Sequence, residues 1–164
     1  MFGLSLDASS VLRRIESYRE RLRQLRPFFA GVASDIIYDE LKDVFRTEGY
    51  GSWPPLSPRY AAWKRSQVGN KSILRFYDTY FDSATSQTGR GSVHHIRDNS
   101  LTIGVDERKF PGRYPLVHEL GSGNIPARPV FDLARPKIVE PVSRAFCKYF
   151  FNEDAGGPRR RGRR

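Results

Sequence analysis

Ser92-Val93-His94-His95-Ile96-Arg97-Asp98-Asn99-Ser100-Leu101-Thr102-Ile103-Gly104-Val105 decides the fold class of this 164-residue chain. Asp98-Asn99-Ser100 has the chemistry of a tight turn. Leu101, Ile103 and Val105 alternate with Thr102 and Gly104, so one face of the second strand is expected to be buried. Ser92–Arg97 and Leu101–Val105 therefore read as a β-hairpin. Most of the rest carries helical spacing, which makes the chain α+β: a small antiparallel or mixed sheet flanked by helices.

Upstream, Phe29, Val32, Ile36, Ile37, Leu41, Val44 and Phe45 form the stripe of a helix over Phe28–Arg46, after a break or kink at Pro27. Glu48-Gly49 ends it, with Gly49 free to adopt the left-handed cap conformation. Before Pro27, Leu12, Ile15, Tyr18, Leu22 and Leu25 mark an added N-terminal helix over residues 1–26, with Asp7, Ser9 and Ser10 as candidate caps. Arg13, Arg14, Arg19, Arg21, Arg23 and Arg26 fill its other faces. They read as a solvated face with ion pairs such as Glu16 to Arg19, or as a phosphate-binding face.

After the Tyr50–Pro58 loop, Ser57 caps a helix whose first residue is Pro58 and which runs to about Gln67. Asp78 or Thr79 is expected to start another, carrying Tyr80 and Phe81. Downstream of the hairpin, Asp106–Gly112 is a charged loop and Tyr114–Leu120 a short apolar segment. Ile125–Asp132 holds Pro126 and Pro129, which suits an edge or interface strand. A last helix spans about 133–152 with Ile138, Val142, Ala145, Phe146, Tyr149 and Phe150 as its stripe. Residues 1–155 make one domain, and residues 156–164 a disordered Arg-rich tail.

The formal charge is +10, from 28 Lys and Arg against 18 Asp and Glu. Arg159, Arg160, Arg161, Arg163 and Arg164 supply half of that excess. They are candidate polyanion-binding residues, acting by counterion release, and the alternative is a solubilising terminus. No apolar run reaches the length of a membrane span, and Met1–Ser10 lacks signal-peptide character. The chain reads as made and kept in cytosol-like conditions, with no membrane partner. One cysteine, Cys147, forbids an intramolecular disulfide and reads as a small core residue.

No catalytic constellation stands out. His94 and His95 are adjacent on a strand and point to opposite faces, so they cannot chelate together. His118-Glu119 has acid/base character but no nucleophile motif beside it. No metal, cofactor or enzymatic activity is expected.

The specific signals are three Pro-bearing segments. They are Trp53-Pro54-Pro55-Leu56-Ser57-Pro58, then Tyr114-Pro115-Leu116-Val117-His118-Glu119-Leu120-Gly121, then Ile125-Pro126-Ala127-Arg128-Pro129. Preceded by Phe45-Arg46-Thr47-Glu48-Gly49 and interleaved with the Tyr60–Lys64 helix, Ile73-Leu74 and the hairpin, they resemble the phage virion morphogenesis family. That family includes tail-completion proteins of Mu-like and P2-like phages. The likeness covers roughly residues 35–135. The chain departs from it at Asp78-Thr79-Tyr80-Phe81, where members often have Thr-Gly-Arg-Leu, and at Val130-Phe131, where they often have Phe-Leu.

The resemblance implies a tail-terminator-like α+β subunit that closes into a ring, commonly six-fold, at the tail end or head–tail junction of a virion. Its partners would be tail tube or sheath proteins and neck or connector proteins, with DNA passing by. Catalysis and cofactors are absent from such proteins. Trp53, Pro55, Leu56, Ser57, Pro58, Tyr114, His118, Gly121, Ile125, Pro126, Ala127, Arg128 and Pro129 are then the candidate interface or loop-anchoring residues. Within that frame the hairpin and Ile125–Asp132 would form the sheet, with the second and last helices packed on it. Arg128 would pair with a carboxylate of its own or the next subunit. The competing reading is a basic nucleic-acid-binding module that uses the first helix and the tail.

Overall fold

The hairpin forms in the expected register. In a computed structural model describing residues 8–151, β1 (Ser92–Ile96) pairs antiparallel with β2 (Leu101–Val105), placing His94 opposite Ile103 and Ile96 opposite Leu101. The Arg97 N–H closes the turn on the Ser100 carbonyl at 2.8 Å. Helices make up most of the remainder, so the fold is α+β with a two-stranded antiparallel sheet among the described residues.

The N-terminal helix α1 (Ser9–Arg23) starts with Ala8 at the cap position, so Ser9 and Ser10 lie inside its first turn rather than capping it. Asp7 falls outside the described residues. The stripe of α1 is largely uncovered: Val11, Leu12, Ile15 and Leu22 are exposed. Its anchor is Tyr18, whose ring stacks on Phe150 at 5.3 Å and meets Phe151 edge-on. Arg21 adds a hydrogen bond to the Phe150 carbonyl at 3.0 Å.

Pro27 sits in the first turn of a new helix, where its missing N–H costs nothing. That helix runs as α2 (Arg26–Phe28), a π-helical turn (Phe29–Ala33) and α3 (Ser34–Arg46), with right-handed backbone angles at both junctions. The π-turn advances the phase of everything after it. Val32 is exposed for this reason, against the stripe reading, while Ser34 and Tyr38 are buried. Leu41, Val44 and Phe45 are fully buried as expected. Phe45 is the hub, meeting Trp53, Tyr80 and Phe81 edge-on with ring centroids 6.0, 5.4 and 5.3 Å away. Its burial alone contributes about 2–3 kcal/mol.

After α3, Glu48, Gly49, Tyr50 and Gly51 all take positive φ, a left-handed run that turns the chain back onto the core. A Cβ on Gly49 would lie 2.4 Å from the Trp53 indole, so glycine is required there twice over. Helix α4 (Pro58–Val68) begins as read, with the Ser57 hydroxyl accepting from the Tyr60 N–H. Helix α5 (Thr79–Thr85) follows Asp78, which is left-handed and does not cap it. The Asp78 carboxylate is held instead by Lys71 at 2.7 Å and Arg75 at 2.8 Å.

The hairpin lies on α5, and Tyr38 of α3 hydrogen-bonds the His94 ring at 2.8 Å. Two 3-10 turns, Glu107–Lys109 and Pro111–Arg113, lead to α6 (Tyr114–Leu120). The last helix, α7 (Phe131–Phe151), lies along α3. It contains Pro136 and Pro141, which leave the carbonyls four residues before them without helical donors.

Three expectations are corrected. Residues 125–132 add no strand to the sheet; a single bridge, Ser122 with Ile125, is the only ladder contact there among the described residues. The prolines remove two donors, and the Arg128 N–H goes to the His118 carbonyl at 2.6 Å. The expected packing of the last helix on the sheet is replaced by packing on α3. Cys147 is exposed, because Phe146 and Phe150 take the inward positions of that turn. The end of the last helix beyond Phe151 and the Arg-rich tail lie outside the described residues.

Candidate functional site

The three Pro-bearing segments, distant in sequence, converge on one open cleft of about 770 Å³. Pro55, Leu56 and Ser57 form one wall, Tyr114 and His118 of α6 another, and Ile125, Pro126 and Arg128 a third. Tyr60 and Lys64 of α4 and the segment from Ile73 to Tyr80 complete it.

Long-range hydrogen bonds fasten these walls. The Trp53 indole donates to the Pro129 carbonyl at 3.0 Å, and its ring is buried. In return, the Arg128 guanidinium donates to the carbonyls of Pro54 at 3.0 Å and Pro55 at 3.2 Å. The two loops thus clasp each other reciprocally. Arg128 is only 5% exposed, and its partners are backbone carbonyls rather than the expected carboxylate. Burial lowers the guanidinium's pKa.

Gly121 ends α6 with φ 77° and its N–H on the Val117 carbonyl. A Cβ there would crowd the Ala127 N–H at 3.0 Å, so this glycine lets the third segment approach α6. Pro58 serves as the first residue of α4. Of the candidate residues, Pro55, Leu56, Ser57, Tyr114, His118, Ile125, Pro126 and Arg128 line the cleft, Trp53 and Pro129 join its walls, and Gly121 abuts Ala127. The terminal arginines are outside the described residues.

Three further residues take roles that local spacing does not predict. Glu119 accepts the backbone N–H groups of Val130, Phe131 and Asp132 at 2.8, 3.0 and 3.1 Å, capping α7 from another element. Lys64 is buried and donates to the carbonyls of Lys71 and Ser72, and burial lowers its pKa. Glu48 accepts the Ile73 N–H at 2.8 Å. Each joins a side chain to the backbone of another element or loop, which no local periodicity encodes.

The charged groups of the walls are therefore committed to backbone or to each other. Asp78, held by Arg75 and Lys71, has a lowered pKa. His118 is pushed down by burial and by the nearby Arg128, and its buried Nδ1 makes no hydrogen bond. His118 and Glu119 do not act on one point, because the Glu119 carboxylate is turned to the start of α7.

What the cleft offers outward is apolar and aromatic. Tyr60, Trp63, Phe76 and Tyr77 form a run of touching rings with centroids 5.4, 5.4 and 4.6 Å apart. Tyr77 is 81% exposed and Leu120 68%, with Leu116 and Ile125 also exposed. No family model, no curated protein and no solved structure matches this chain.

Proposed function

We propose that this chain is a structural subunit of a phage tail or neck, assembling into a closed ring that completes the tail and joins it to the head. The observation that carries the proposal is the clasped cleft. The ordered segments that resemble the virion morphogenesis family come together there on one rigid face rimmed by exposed aromatic and aliphatic side chains. Exposed apolar surface of this kind suits protein–protein contact. Rigid prolines and the Trp53–Arg128 clasp lower the entropy lost when a partner orders the loops.

The role is assembly rather than catalysis, and it needs no cofactor. The cleft face meets the neighbouring subunit or the adjoining tube, sheath or neck protein. A repeated contact between two different patches closes into a ring when its rotation permits. The assembled site is the virion. Among the described residues no helix is long and apolar enough to cross a membrane.

Analytical ultracentrifugation of the full chain, with electron microscopy of mixtures with tail tubes, tests this. Rings seated at tube ends are the expected result. Unbound monomer under all conditions would overturn it.

A second reading, a nucleic-acid-binding module, draws on the exposed arginines of α1 and the five terminal ones. Truncation after Gly157 in a salt-titrated duplex-binding assay separates the two. Base-specific binding that survives truncation favours the module.

A further inference from the structure

The N-terminal helix leaves a second surface unexplained. Val11, Leu12, Ile15 and Leu22 are between 48% and 61% exposed, on a helix that contacts the body through Tyr18 and Arg21 among the described residues. Exposed arginines would suit a polyanion, but a phosphate backbone does nothing for an aliphatic stripe. An apolar partner would cover it, and that partner has to tolerate the flanking Arg19 and Arg23.

A second α1 is a poor partner, because its own arginine rims would face these. The cleft is no better: its cationic groups Lys64, Arg75 and Arg128 outnumber Asp78. The face that fits lies on α3 and the π-turn before it. Val32 is exposed and Ile36 half-buried, with Asp35 and Asp39 exposed beside them and Asp43 one turn on. Lys42 pairs with Asp39 and Arg46 with Asp43, while Asp35 makes no ion pair among the described residues, so the face keeps a net negative charge. Val11 to Leu22 and Val32 to Asp43 span the same number of residues, about 16 Å of helix each. Aliphatic centre meets aliphatic centre, and arginine rim meets aspartate rim.

We infer that α1 of one subunit docks on the Val32–Asp43 face of the next copy, as the arm that closes the ring. This rests on the ring reading above. The two patches differ, so the contact is head-to-tail and repeats around a closed circle.

The test is the assembly state of the full chain, read by sedimentation, with circular dichroism to check folding. Arg19→Glu with Arg23→Glu should weaken association by roughly a hundredfold, and Asp35→Arg with Asp39→Arg likewise. All four substitutions in one chain should restore it. Rings that survive both reversals, or a fourfold variant that stays dissociated, overturn the arm contact while leaving the ring intact. A wild-type chain that never assembles instead overturns the ring reading itself. If the α1 reversal leaves rings unchanged but abolishes binding to a duplex DNA probe, the arginines face nucleic acid and the arm contact is wrong.

Discussion

The indole of Trp53 donates to the carbonyl of Pro129 across 76 residues of chain. This bond ties the loop after α3 to the segment before α7, and it is answered by Arg128 reaching back to Pro54 and Pro55. These two loops are thus joined through backbone acceptors satisfied by two side chains.

Trp53→Phe keeps a ring against Phe45 but strands the Pro129 carbonyl. The expected loss is about 1–2 kcal/mol, read from a urea transition with unchanged slope. An unchanged midpoint would mean that water replaces the indole without penalty.

Gly49 and Gly51 both have positive φ, yet only Gly49 faces the indole. Gly51→Ala should cost about 1 kcal/mol from backbone strain alone. Gly49→Ala should cost about 1–3 kcal/mol more, because the new methyl displaces Trp53. Thermal melts of the pair give the ordering.

Arg128→Lys retains the charge but cannot span both carbonyls. A loss of about 2 kcal/mol is expected. Limited proteolysis should then cut within residues 122–127, which the wild-type clasp protects.

Glu119→Ala uncaps the start of α7 and should destabilise by about 2 kcal/mol. Glu119→Gln keeps one acceptor oxygen and should lose less. Amide exchange at Val130, Phe131 and Asp132 reports the effect at the bonds concerned.

His118 has a native pKa below its ordinary value of 6.5, chiefly from burial and secondarily from Arg128. The unfolded chain therefore takes up this proton first as pH falls. The contribution of His118 is whole above about 6.5 and is lost as pH drops toward the depressed native value. His118→Phe removes that slope. The difference between wild-type and variant stability, measured from about pH 7 to about pH 5, should shrink steadily toward the acid side.

The hairpin, the Ser57 cap and the termini of α4 were legible because local chemistry sets them: a turn, an alternation, a hydroxyl before a proline. The cleft-forming residues were legible as segments, since rigid prolines and an anchoring tryptophan mark loops whose paths matter. Their partners were not. Arg128 was expected to pair with a carboxylate, but its acceptors are backbone carbonyls, which carry no sequence identity. Ile125–Asp132 looked like an edge strand because extended prolines fit strand and loop alike. Val32 fell on the wrong side because a helical wheel assumes one pitch, and the turn at Phe29–Ala33 has another. Cys147 was placed inward by residue type, while its flanking phenylalanines decided the face.

That π-turn carries a genetic consequence. It holds one residue more than an α-turn, so a single-codon deletion between Phe29 and Ala33 would return the helix to ordinary pitch. Phe28 and everything before it would swing by about 100° around the α3 axis. The edge-on contact of Phe28 with Phe146 and its tilted contact with Tyr149 would be lost, and α1 would leave the body on a new bearing. The direction in which α1 points is thus written in the presence of one amino acid, a setting that an insertion or deletion can flip but gradual substitution cannot.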